Sequence, residues 1–162
     1  MADDAVEVFH DVVHTHIFGS FYCTQAVLPH MKKQKRGDIH FLSSLATQQL
    51  WADEWAYASA KAWMGTFVKT TAKELSWHGI RVNAIAPTIV ESDMGLKLVL
   101  HWAKVNDPKN LYGIVPFDRL IQPQDVANLC TWLCSDKASH ISGQVMYLHS
   151  AIGPVSYTHL RA

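Results

Sequence analysis

The chain has 162 residues, of which 49% are hydrophobic and 17% charged, a balance that buries the core of one globular domain and excludes disorder. Fourteen basic residues cancel fourteen acidic ones, so nothing draws the chain toward a phosphate backbone or an anionic lipid surface, and neither nucleic acid nor membrane is expected as a partner. No apolar run approaches the roughly 20 residues that span a bilayer, and the acidic start lacks a secretion signal. A cytoplasmic, reducing setting follows, with Cys23, Cys130 and Cys134 as free thiols.

In chain order, Val6, Phe9, Val13, Ile17, Phe21, Thr24, Val27 and Met31 recur in steps of three and four. They predict a long amphipathic helix over 3–35 with one buried face, bent near Gly19 or Pro29. A basic turn leads to a strand over 39–43, and polar residues 47–49 make a loop. Asp53 can cap a second helix over 53–78, ended by Gly79. A strand over 80–86 stops at Pro87. One helical segment over 94–105 lies in the long stretch to Leu120, Pro123 opens a helix ending near Cys134, and 143–148 is a third strand. Strands alternating with helices imply an α/β fold, a parallel sheet whose crossovers are the helices.

Tyr57 and Lys61 are four residues apart and share a helix face, which places a phenol beside an ammonium. Ser44 ends the strand that feeds this helix, at the rim where open α/β sheets bind ligands. A strand ending in Ser-Ser, with Tyr-x-x-x-Lys beginning thirteen residues beyond Ser44, resembles the active-site pattern of the short-chain dehydrogenases/reductases. Other segments agree. Phe21-Tyr22-Cys23-Thr24-Gln25-Ala26-Val27-Leu28-Pro29-His30-Met31 is similar to the family's helix before that strand, and Ile80-Arg81-Val82-Asn83-Ala84-Ile85-Ala86-Pro87 to the next strand. Ser92-Asp93-Met94, Arg119, Asp125-Val126-Ala127 and Ile141-Ser142-Gly143-Gln144 continue the likeness.

The resemblance implies a Rossmann-like doubly wound parallel sheet and an NAD- or NADP-dependent oxidoreductase that interconverts an alcohol and a ketone. Tyr57 would be the general acid/base, Ser44 would hold the substrate oxygen, and Lys61 would support the phenol and bind the nicotinamide ribose. Bringing a tyrosine from about 10 to about 7 takes about 4 kcal/mol. One positive charge about 4–5 Å away at an effective dielectric near 20 supplies about 3–4 kcal/mol, so Lys61 and an oxidised nicotinamide together suffice. Past Pro87 the family grips the nicotinamide, which assigns the Val90 amide to the carboxamide and the Ser92 hydroxyl to the phosphates. Thr88 stands where the family usually has Gly, which restricts the loop backbone. His16 stands where the family has an Asn that anchors a water in the proton path, and is counted with the catalytic residues.

Several features lead elsewhere or nowhere. His10 and His14 share a helix face, yet no third ligand is evident, so no metal is expected. Cys130 and Cys134 read as small buried side chains. A hydrolase using Ser44 lacks the Gly-x-Ser-x-Gly turn. Among the eight glycines no two are two apart, so the family's glycine-rich pyrophosphate loop has no counterpart. The chain therefore reads as the C-terminal part of one Rossmann-like domain, residues 1–154, followed by a non-native, poorly ordered tail, 155–162. Helices 3–35 and 53–78 correspond to those with which the family builds dimers and tetramers, so a homodimer or homotetramer is expected. The alternative function is a noncatalytic or truncated family member acting as a binding or assembly subunit, which His16, Thr88 and the His149-Ser150-Ala151 in place of the family's Asp-Gly-Gly favour. The expected substrate is a small hydrophobic alcohol or ketone, with Leu96, Leu98, Leu100 and Trp102 in its pocket wall.

Overall fold

The computed structural model describes residues 5–50, 54–104, 107, 117 and 119–149. Three parallel strands, β1 (Gly37–Leu42), β2 (Ile80–Pro87) and β3 (Val145–Leu148), lie in that spatial order. Their register pairs Ile39 with Val82, Leu42 with Ile85, and Ala84 with Val145. All three expected strands form, each with ends moved by one or two residues.

The sheet is covered on both faces, as the α/β reading requires. On one face the long helix α3 (Trp55–Leu75) sets Met64, Val68, Ala72 and Leu75 against Ile39, Phe41, Ile80, Val82 and Ala84. On the other, α5 (Pro123–Cys134) sets Leu133 against Ile85 and Ala138. Removing one such side chain from water contributes about 1.5–3 kcal/mol, which makes β2, flanked on both sides, the best anchored strand. The expected helix over 53–78 becomes α3 and a tight turn, Ser76–His78. Its cap Asp53 lies outside the described residues. Gly79 ends the turn at φ +70°, and a β-carbon there would run into the Lys35 carbonyl, so glycine serves both the turn and the close approach.

The helix expected over 3–35 is three pieces. α1 (Ala5–Val13) passes into a π-helical turn, His14–Phe18, and then into α2 (Gly19–Gln34), which carries Pro29 without ending. In the π turn the Gly19 amide bonds the His14 carbonyl five residues back. The irregularity thus sits immediately before Gly19 rather than at Pro29. The expected buried face is corrected as well: Leu28 and Met31 pack on the core and Thr24 is buried, but Val6 is 67% and Phe9 40% exposed, and Phe21 and Val27 are also exposed. These residues keep helical spacing, and although Phe9 stacks on Trp55 of α3 with ring centroids 5.6 Å apart, all four stay exposed.

Between β2 and α5, α4 (Asp93–Ala103) is capped by Ser92, whose hydroxyl accepts from the Gly95 amide at 3.1 Å. α5 opens with a reciprocal cap between Gln122 and Asp125, and Arg119 braces Asp125. Cys130 is half-buried but Cys134 is exposed, correcting the expectation that both are buried. The tail 155–162, the Trp102 side chain and most of the segment between α4 and Phe117 lie outside the described residues.

Candidate active site

Ser44 follows β1 and starts a short turn, Leu45–Thr47, in which its oxygen accepts from the Ala46 amide at 3.1 Å. The first turns of α3 pass beside it. Tyr57 and Lys61, one helical turn apart, both face this rim of the sheet, and the Ser44 side chain lies near enough to the Tyr57 phenol to act on its pKa. The Lys61 ammonium lies 5.5 Å from the centre of the Tyr57 ring. The three residues that the spacing singled out are therefore brought together.

Lys61 is held from two sides. Its ammonium donates to the Leu42 carbonyl at 2.7 Å, and its own carbonyl accepts from the Ser43 hydroxyl at 3.2 Å. At 6% exposure it is among the most buried polar residues described. Burial pushes its pKa down from the ordinary lysine value. Burial also pushes the Tyr57 phenol up, against the lowering effect of the Ser44 side chain, and Glu54 adds to the rise. Lys61 by itself thus does not bring the phenol toward neutrality. Its charge faces the ring, while desolvation acts on the hydroxyl.

His16 reaches the same place from the other helix. Its ring meets Tyr57 edge to face, with centroids 5.6 Å apart and planes 79° apart. Burial, and secondarily Lys61, lower its pKa, so the imidazole is neutral at pH 7.

The residues after β2 fill a different part of the rim. Pro87 ends the strand opposite Leu148, and the Thr88 amide donates to the Leu148 carbonyl at 3.1 Å. Thr88 is absent from the positive-φ residues, so this backbone does not demand glycine there. Val90 forms an isolated bridge with Ile121, carried by the Glu91 amide donating to the Ile121 carbonyl at 2.7 Å rather than by the amide of Val90. Ser92 caps α4 and donates to the Val90 carbonyl at 3.3 Å, so a phosphate would compete with a structural cap for this hydroxyl. A β-carbon on Gly95 would strike the Val90 carbonyl, which ties the first turn of α4 to this loop.

Three partners of the site were not foreseen. The Leu42 carbonyl and the Ser43 hydroxyl anchor Lys61, and the Thr47 and Tyr147 hydroxyls meet at 3.3 Å across a hundred residues of sequence. Adjacent serines hinted at the second, whereas the Thr47 and Tyr147 pair left no local signal. Among the described residues no group of three metal-ligating side chains converges. A pocket of about 290 Å³ lined by Arg36, Arg81, Asp136 and His140 lies at the opposite, N-terminal end of the strands, away from this chemistry.

A nicotinamide nucleotide can be tested against these residues. The buried Lys61 ammonium gives one hydrogen to Leu42 and carries two more, a donor set suited to vicinal ribose hydroxyls. The Val90 amide, not used by the bridge, is available to a carboxamide. The nicotinamide end of such a cofactor fits.

Comparison with known proteins gives the family and the fold. The family profile described as "Enoyl-(Acyl carrier protein) reductase" matches residues 1–150. The "Uncharacterized oxidoreductase YmfI" of Bacillus subtilis is 34% identical over 136 residues, 84% of this chain and 54% of that protein. The 3-oxoacyl-[acyl-carrier-protein] reductase FabG of Thermotoga maritima is 35% identical over 135 residues, 83% of this chain and 53% of its own length. Among solved structures, a 7α-hydroxysteroid dehydrogenase complexed with NADH and 7-oxo glycochenodeoxycholic acid superposes with a TM-score of 0.73 at 33% identity, covering 85% of this chain and 52% of that one. The chain spans about half the length of the curated relatives it matches.

Proposed function

Because the chain belongs to the short-chain dehydrogenase/reductase family, we propose that it carries the catalytic residues of an NAD- or NADP-dependent oxidoreductase acting on a small hydrophobic alcohol or ketone. The observation that supports this best is the gathering of the three side chains at one rim: the buried Lys61 ammonium is 5.5 Å from the centre of the Tyr57 ring, and Ser44 is near enough to the phenol to act on it.

A nicotinamide, when held by these residues, would supply the hydride that a carbonyl carbon takes up in the reducing direction. Tyr57 gives its phenolic proton to the carbonyl oxygen, and that oxygen becomes the alcohol hydroxyl. The Ser44 hydroxyl donates to the same oxygen as negative charge develops there. Lys61 stabilises the phenolate left behind until a solvent proton restores it. A buried phenol with a raised pKa is protonated at neutral pH, which suits the proton donor that reduction needs. Lys61 and the Val90 amide would hold the ribose and the carboxamide. The exposed side chains of Met94 and Leu98 on α4 support an apolar substrate.

Titration of the purified chain with NADH and NADPH, followed by fluorescence, tests the cofactor side, and oxidation of the bound cofactor by small ketones tests the chemistry. Loss of binding in Lys61→Ala, and of turnover in Tyr57→Phe, is the expected result. A folded chain that perturbs neither cofactor and reduces no ketone overturns the assignment for this chain.

The exposed apolar stripe of α1 and α2 favours a second role, self-association as a homodimer or homotetramer or as an assembly subunit. Mass measured in solution tests it, and a monomer at micromolar concentration would exclude it. No helix of the described residues is long and apolar enough to cross a membrane.

A further inference from the structure

The π turn lies where the first helix pair meets α3, and one of its side chains touches the central residue of the site. A π turn inserts one extra residue into the helical register, which re-aims a side chain that an unbroken helix would point elsewhere. The Ser20 hydroxyl donates to the His16 carbonyl at 2.6 Å and helps to secure the turn. On the side-chain end, His16 packs edge to face on the Tyr57 ring, the same ring that has the Lys61 ammonium 5.5 Å from its centre.

We propose that His16 is a positioning residue for Tyr57 that works only as the neutral imidazole, so that its protonation loosens the Tyr57 ring and switches the site off in mild acid. The groups that decide this are few. From α3, Tyr57 and Lys61 face His16, and Glu54 acts on the Tyr57 phenol. From its own helix, His14 is turned onto Phe18, with ring centroids 5.1 Å apart. Among the described residues the charge that acts on His16 is Lys61, so a proton gained there adds a second cation beside it. The neutral ring packs against Tyr57; the charged ring is repelled by Lys61 and drawn toward water. Asparagine at this place could not titrate, so the histidine gives the site a proton response of its own.

The consequence for turnover rests on the oxidoreductase reading, but the coupling between His16 and Tyr57 does not. NMR titration of the chain with labelled histidine and tyrosine separates the two. The His16 signal, identified by its absence in His16→Asn, is expected to titrate below the ordinary histidine value of about 6.5. The Tyr57 ring resonances should move with the same midpoint, and Lys61→Met should shift that midpoint upward. In ketone reduction, kcat should fall about tenfold per pH unit below the midpoint. That acid limb should be absent from His16→Asn and His16→Gln, two variants of different length that guard against a packing artefact. Tyr57 resonances indifferent to His16 titration, or an acid limb shared by the wild type and both variants, would overturn the proposal. Coupled titration in a chain that reduces no ketone at any pH would support the positioning role and sink the oxidoreductase reading alone.

Discussion

Replacing Lys61 with Met should make the chain more stable at neutral pH while removing its cofactor site. Lys61 is 6% exposed, and its ammonium donates to the Leu42 carbonyl at 2.7 Å. Bringing one ion into such a place costs several kcal/mol after relaxation. A charge-assisted hydrogen bond returns about 1.5–3 kcal/mol of that. Methionine occupies nearly the same volume without the charge, so the variant should gain on the order of 1–2 kcal/mol at pH 7, even with the Leu42 carbonyl left unpaired. The sign with pH follows from burial, which sets the folded pKa of Lys61 below the unfolded value. At pH 7 both states hold the proton and the burden is present in full. Between the folded pKa and about 10.4 the unfolded chain holds more protons, so wild-type stability rises with pH, and the advantage of Lys61→Met should shrink over that window. Urea unfolding of both chains at pH 7 and near pH 10.5 reads the difference directly, and NADH fluorescence reads the loss of function. A variant less stable than wild type at pH 7, or an advantage unchanged at the higher pH, would refute the view that the ammonium is held against a desolvation cost.

Tyr57→Phe should lower ketone reduction by about 10²–10⁴-fold. It should change stability by no more than about 1.5 kcal/mol, since it removes one hydroxyl from a half-buried ring; steady-state kinetics beside a melting curve would show the split. His40 has both ring nitrogens buried without a partner, and burial lowers its pKa, against Asp38, which raises it, and with Arg81, which lowers it further. Its folded pKa is the lower one, so stability should fall as pH drops below about 6.5 and level off below the folded value. His40→Leu should reduce that slope and add about 1 kcal/mol at pH 7, by urea unfolding at several pH values. Gly95→Ala drives a methyl group into the Val90 carbonyl, so a loss of about 1–3 kcal/mol and a weakened NADH response are expected, and an unchanged Tm would contradict the packing of that loop.

The parts of the molecule legible in the sequence are those governed by local rules. Alternating strands and helices announced the parallel sheet, and the spacing of Ser44, Tyr57 and Lys61 survived because a strand end and one helical turn fix it within eighteen residues. The helix over 3–35 shows the limit. Its apolar period is real, but period reports only that a face is apolar, not what covers it, and half of that face is exposed. The π turn, which lies against α3, has no motif of its own. The resemblance assigned the Ser92 hydroxyl to the phosphates, yet its observed role is to cap α4, because the same spacing that would place a hydroxyl near a phosphate also places it ahead of a helix. The anchoring of Lys61 by the Leu42 carbonyl could not be read from residue types at all, since every residue has a carbonyl.

The three titratable groups of the site are shifted in one consistent direction, each toward its uncharged form. Tyr57 is raised, and His16 and Lys61 are lowered, with burial the largest cause in all three cases. For Tyr57 and Lys61 mutual charge effects alone would have done otherwise, since a nearby ammonium favours a phenolate and a phenolate favours an ammonium. The site without a ligand therefore stores its proton on the phenol. A positive nicotinamide ring placed against it would add the charge that Lys61 alone does not bring to bear on the hydroxyl, and would pull the phenol down toward the pH at which it can accept a proton from an alcohol. Oxidation should accordingly depend on pH far more steeply than reduction between pH 6 and 9. Matched initial rates in the two directions would reveal that asymmetry, and equal pH profiles would show that the phenol is tuned by something other than burial.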